Sequence, residues 1–196
     1  LEEGWCHETP ELTFVSVLPN NKHFQIYENN FLIGKENDVI MHFANRSIET
    51  ATIPKTVKQI NSYAFENCVH LKKISISEDS QLLIIKSDSF SKSIFEELEI
   101  SSKVEELSDN WCRFTPLLKK VIVSPKNKNF INIGNKIIIG KSNKNDNKYD
   151  VLQFVSRDVV EAIIPTTIRY INSSAISKLS EIKTIEIKDL NWNISM

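Results

Sequence analysis

A pattern of apolar residues that recurs along one chain limits the fold more than any other feature. No single copy can bury its own stripe, so the copies must stack into a shared core. GWCHETPELTFVSVLPNNKHF (4–24) returns as NWCRFTPLLKKVIVSPKNKNF (110–130). Trp5, Cys6, Thr9, Pro10 and Leu12 match Trp111, Cys112, Thr115, Pro116 and Leu118, while His7 and Glu8 become Arg113 and Phe114. A shorter unit lies inside the long one. In VKQINSYAFENCVHLKKISI (57–76) the marks are Val57, Ile60, Ala64, Phe65, Cys68, Leu71, Ile74 and Ile76. They land again from Val104 to Val123 and from Ile168 to Ile187. Residues 82–100 fit with one deletion, and the first copy begins in mid-unit, which makes five units.

Within a unit the period changes. Leu71-Lys72-Lys73-Ile74-Ser75-Ile76 ends in the alternation of a half-buried strand. Ser62 to Leu71 has apolar marks three or four apart, as in a helical turn. The spacing therefore predicts an α/β repeat, a solenoid of five short strand-plus-arc units near 1–20, 53–78, 79–101, 102–126 and 164–188. Residues 15–17, 74–76, 98–100, 121–123 and 185–187 are expected to form one parallel sheet in that order. Asn61 and Asn172 are expected at tight left-handed corners. Two extensions, 21–52 and 127–163, start N-K-x-F, contain a run ending Ile-Gly-Lys and return to Ile-Pro. Each reads as a β-hairpin. The whole is expected to be one domain and part of a larger chain.

The pattern IP-x-x-V-x-x-I-x-x-x-AF-x-x-C-x-x-L-x-x-I-x-I, carried by residues 53–76, closely resembles the BspA-like leucine-rich repeat family. The resemblance covers nearly the whole chain. Unit 82–100 departs from it with Ser89-Phe90 and no cysteine, and units 1–17 and 104–123 put Trp-Cys in place of Ala-Phe. It implies a leucine-rich-repeat solenoid used for binding, often in cell-surface adhesins that meet host or matrix proteins. The family has no catalytic residues to carry over, so no enzyme is expected.

The Cys6-His7-Glu8 row looks like a nucleophile or metal site. Its repeat copy keeps only the cysteine, so Cys6 reads as core and its neighbours as surface. Cys6, Cys68 and Cys112 are odd in number and lack a CxxC pair, which fits neither a disulfide framework nor a zinc knuckle. No metal or cofactor is expected. His23, His42 and His70 show no ligand spacing, and His42 and His70 read as polar surface. Glu96 and Glu97 are an acid pair suited to cleaving polysaccharide, but the repeat register places Glu97 between Lys73 and Lys120, an ion-pair ladder. Acids gather in 78–109 and bases in 113–148.

With a net charge of −1 and no apolar run near the roughly 20 residues of a membrane span, neither nucleic acid nor membrane insertion is expected. No signal-peptide pattern is present in the sequence, so a surface location follows from the resemblance alone. Sequons stand at Asn45, Asn172 and Asn193, as many as an Asn-, Ser- and Thr-rich chain yields by chance. The expected function is a non-enzymatic protein-binding module, with an intracellular scaffold and a polysaccharide-acting solenoid enzyme as alternatives. The expected partner surface joins Lys73, Ser75, Glu97, Glu99, Lys120 and Ile122 on the strands to Lys141, Lys144 and Lys148 of the second hairpin. That hairpin carries Tyr149 and Phe154, the first Phe31 and Phe43.

Overall fold

The computed structural model describes residues 1–35 and 39–189. Two rows of short parallel strands run along it. One row is β4 (Thr50–Thr52), β6 (Lys73–Ser75), β8 (Glu97–Ile100), β10 (Lys120–Val123), β14 (Glu161–Pro165) and β16 (Thr184–Lys188). In β4, β6, β8, β10 and β14 an apolar residue points in and its neighbours point out: Ala51, Ile74, Leu98, Val121 and Ala162 are buried, whereas β16 is exposed throughout. The second row is built of dipeptides: β5 (Gln59–Ile60), β7 (Ile84–Ile85), β9 (Glu106–Leu107) and β15 (Tyr170–Ile171).

The first row is not the single sheet that the register predicts. It hydrogen-bonds in pairs, β4 with β6, β8 with β10 and β14 with β16, and residues 15–17 form no strand. The step from Lys73 to Glu97 is one residue longer than those from Thr50 to Lys73 and from Glu97 to Lys120. β6 and β8 lie side by side without a ladder. At the other break, Asn132 occupies the free edge of β10, donating to the Val121 carbonyl at 2.7 Å and accepting from the Val123 amide. β4 and β14 also correct the unit count. Ile48-Glu49-Thr50-Ala51-Thr52-Ile53 and Val159-Val160-Glu161-Ala162-Ile163-Ile164 are turns of the solenoid, not the ends of hairpins.

The α/β expectation fails on the arcs: among the described residues there is no helix. Two residues four apart take positive φ in successive arcs, as with Tyr63 and Asn67, Asp88 and Lys92, and Asn110 and Phe114. A left-handed residue breaks an α-helical ladder, and the arc becomes a run of turns. Its freed amides bond the next turn instead, Phe65 to Ser89 at 2.8 Å and Asn67 to Ser91 at 3.0 Å. The corner falls on Tyr63, not on Asn61 or Asn172. Inside the arcs a spine of rings joins Phe31, Phe65, Phe90, Trp111 and Phe154, with centroids 6.2, 5.3, 6.3 and 6.1 Å apart. Phe65, Phe90, Trp111 and Phe154 are wholly buried, and such rings dominate core energetics.

Each extension has three strands rather than two. β1 (Phe24–Tyr27), β2 (Phe31–Gly34) and β3 (Ile40–Ala44) form the first; β11 (Phe130–Ile133), β12 (Ile137–Gly140) and β13 (Val151–Val155) form the second. The first turn of each places two residues at positive φ, Glu28-Asn29 and Gly134-Asn135, as primed hairpin turns require. β3 then pairs parallel with β5, and β13 with β15, so both meanders extend the dipeptide row.

A buried arginine follows each meander. Arg46 is 2% exposed and Arg157 3%. Arg46 donates through Nη1 to the Ala64 carbonyl (2.9 Å) and through Nη2 to those of Cys6 and Tyr63 (3.2 Å each). Arg157 donates through Nη1 to Val155 (3.2 Å) and Ala175 (3.1 Å), and through Nη2 to Ser174 (3.1 Å) and Cys112 (3.5 Å). The guanidinium groups lie 4.8 Å and 5.0 Å from the rings of Phe43 and Phe154. Both tie the arc before the meander to the arc after it, using carbonyl oxygens and no carboxylate.

Candidate partner-binding surface

Lys73, Glu97 and Glu99 are exposed, and Ser75, Lys120 and Ile122 are half-buried, all pointing off the first strand row. β4 and β14 add Thr50, Thr52, Glu161 and Ile163 to the same face. Charges are matched within the bonded strand pairs. Lys120 meets Glu97 at 3.3 Å, Lys119 meets Glu96 at 3.4 Å, and Lys72 meets Glu49 at 2.8 Å. The lysine-flanked ladder is thus half present: Glu97 has Lys120, but Lys73 stands across the break between β6 and β8. A cleft of about 580 Å³ opens at that break, lined by Lys72, Lys73, Glu96, Glu97 and the apolar Ile94 and Leu117.

The loop of the second meander folds back onto the solenoid. Lys144 pairs with Glu105 at 3.1 Å, and Lys141 lies 5.1 Å from the Tyr149 ring. Lys148 is exposed beside a pocket described below. Of the aromatics expected on the hairpins, Phe31, Phe43 and Phe154 are buried in the core, and only Tyr149 is half-exposed.

Cys6 and His7 turn opposite ways. Cys6 is buried, and burial raises its thiol pKa. His7 is not a chance surface residue: its Nδ1 lies 3.0 Å from the carboxylate of Glu66, a fully buried acid, and its ring lies 4.1 Å from that of Tyr63. Burial works against the Glu66 charge. The Glu8 amide (2.8 Å), His7 and Lys92 (3.4 Å) outweigh it, and the Glu66 pKa falls below the ordinary value. Among the described residues no group of three or more His, Cys, Asp or Glu side chains could hold a metal ion.

His42 is also not surface. It is 7% exposed, and its Nδ1 lies 3.5 Å from the Asn61 amide. Burial lowers its pKa to about 4. In the second copy Gln153 takes its place, and Asn172 donates to the Gln153 Oε1 at 3.2 Å. The sequon nitrogen of Asn172 is therefore spent inside the fold. Asn45 is half-buried, its amide 3.4 Å from Asn30 Oδ1, and Asn193 lies outside the described residues. Neither buried arginine nor His42 announces itself in sequence; the only signal is that Arg46 and Arg157 recur at matching places after the two meanders.

Two rows of short strands joined by turn-built arcs, with no helix among the described residues and matched charges outside, define a β-solenoid repeat module. The chain belongs to the BspA type leucine rich repeat region family, whose model matches six copies over residues 40–145. No curated protein matches the sequence. Among solved structures it is similar to the pneumococcal vaccine antigen PcpA, at 23% identity and TM-score 0.66 over 72% of this chain and 34% of that one. A leucine-rich repeat protein of Eubacterium ventriosum matches at 17% identity and TM-score 0.66, covering 95% and 45%. A leucine rich cell surface protein of Faecalibacterium prausnitzii matches at 16% identity and TM-score 0.56, covering 72% and 42%. These likenesses concern the fold, and the chain spans less than half the length of each structure. No helix among the described residues is long and apolar enough to cross a membrane.

Proposed function

We propose that the chain is a non-enzymatic protein-binding module of a cell-surface protein, with a host or matrix protein as its partner. The observation that carries this reading is the first strand row. Its backbone is hydrogen-bonded in strand pairs, its inner side chains fill the core, and alternate side chains stand outward. Such a surface presents side chains for recognition. Its acid pair, Glu96 and Glu97, is matched to Lys119 and Lys120, and a carboxylate held by an ammonium is poorly placed as a general acid. The cell-surface part is supported by likeness to one protein so described. The proposed surface extends to Lys141, Lys144 and Lys148 of the second meander, whose Lys148 lines a pocket together with Pro165 of β14.

The test is to immobilise purified matrix and host-surface proteins and measure association of the chain. Saturable binding to at least one, weakened by salt, is expected. Absence of any saturable binding, together with release of reducing ends from a polysaccharide panel, would overturn the reading.

A further inference from the structure

The second meander holds a pocket of about 420 Å³. That volume lies within the range of sites that bury a small ligand or a large side chain. Its floor is apolar, made by Ile131 of β11, Ile139 of β12 and Pro165 of β14, and the Tyr149 ring forms one wall. Ile131 and Ile139 are cross-strand partners. Lys148 and Arg169 line its rim, and both are exposed. Neither makes an ion pair among the described residues. The acid in the lining, Asp150, is buried and accepts from the amide and hydroxyl of Ser142 at 2.9 and 2.8 Å; against the burial, these bonds and, more weakly, the Arg169 charge hold its carboxyl below the ordinary value.

This is an apolar hole with two cations at its mouth that make no salt bridge among the described residues. An apolar ring desolvates the floor, and carboxylates next to that ring meet the rim charges. The first meander is built differently: Gln25 pairs with Ile33 in the register where Ile131 pairs with Ile139, so a polar side chain replaces the floor. We propose that the pocket takes one aromatic side chain from an acidic peptide segment of the partner, with Lys148 and Arg169 meeting the flanking carboxylates. This rests on the protein-binding reading above and specifies what that partner offers.

The test uses the purified chain and a blocked pentapeptide, Asp-Glu-Phe-Glu-Asp, followed by methyl NMR of Ile131 and Ile139. Saturable shifts of both methyl sets are expected. Replacing the phenylalanine by alanine, or the four acids by their amides, should weaken binding about tenfold or more. Ile131→Gln should do the same at an unchanged melting temperature, since the first meander carries glutamine at that place. Should Ile131→Gln fold poorly, the surface change Lys148→Ser/Arg169→Gln tests the same pocket and should weaken binding to a similar extent. No methyl shift, or shifts indifferent to the aromatic ring or to the rim charges, would overturn the pocket. If matrix proteins bind these variants as well as the parent, the pocket fails while the module stands. If the pentapeptide binds and no protein in the panel does, the pocket survives and the host-or-matrix partner does not.

Discussion

Arg46 and Arg157 occupy one place in two copies of one arrangement, yet they hold different neighbours. The carbonyls of Tyr63 and Ala64 that Arg46 gathers belong to an arc whose next turn bonds directly to it, and β5 beside them continues into β7 and β9. The carbonyls of Ser174 and Ala175 that Arg157 gathers belong to the last described turn. Where Ile60 and Phe65 are wholly buried, Ile171 and Ile176 are 53% and 38% exposed. The local chemistry is the same and the stacking is not. In a solenoid, stability is a sum of turn energies and nearest-neighbour contacts, so equal devices should contribute unequally to the whole.

The largest effect is expected from the clamps themselves. Arg46→Met strips the charged donor from the carbonyls of Cys6, Tyr63 and Ala64, which keep Thr9, Glu66 and Ala44 as donors, and should cost about 2–4 kcal/mol. Hydrogen exchange should accelerate on both sides of it, in 6–12 and in 59–85. Arg157→Met removes the same bonds, but acceleration should be confined to 112–118 and 161–188, with a smaller drop in melting temperature. If Arg157→Met loosens 59–85 as much as Arg46→Met does, the modules open together and the contrast is wrong.

A second difference separates His42 from Gln153. The folded state holds His42 neutral with a pKa of about 4, against 6.5 unfolded. The unfolded chain therefore binds the extra proton first on acidification. The His42 contribution is intact above pH 6.5 and is lost as pH falls from there toward 4, by up to about 3 kcal/mol. His42→Gln copies the second module and should flatten that loss. Parallel unfolding midpoints for parent and variant between pH 7 and pH 4.5 would assign acid sensitivity elsewhere.

The smallest effect concerns the strand face. Glu97→Lys breaks one exposed pair with Lys120 and should cost about 0.5 kcal/mol, more than Asp146→Lys in the meander loop. High salt should erase the difference. Equal melting temperatures at low salt would show that even the half-ladder contributes nothing.

The repeat register and both extensions are legible in the sequence because apolar spacing survives substitution. The turns at Thr50–Thr52 and Glu161–Pro165 are hidden, since Ala51 and Ala162 stand where the other units carry isoleucine, leucine or valine. Apolar marks three or four apart suit a helix and a run of tight turns alike. Tyr63 at φ 61°, an aromatic in a conformation more often taken by glycine or asparagine, decides for turns. The strand positions of the proposed partner surface are legible, and so is the pair of Glu97 with Lys120, but the pairing of the meander loop is not: Lys144 finds Glu105 across turns that no local spacing relates. Pocket and clamps arise where meander meets arc, at distances along the chain where composition carries no signal.

The three cysteines turn this architecture into its own recorder. Cys6, Cys68 and Cys112 are free, buried and placed in three different arcs, and burial pushes the Cys68 thiol up to about 11. A thiolate reagent meets none of them in the closed fold, so modification must wait for an opening. Each sulfur then serves as a clock for one arc. The order in which they are labelled, read by mass spectrometry without any added probe, gives the sequence in which the solenoid comes apart.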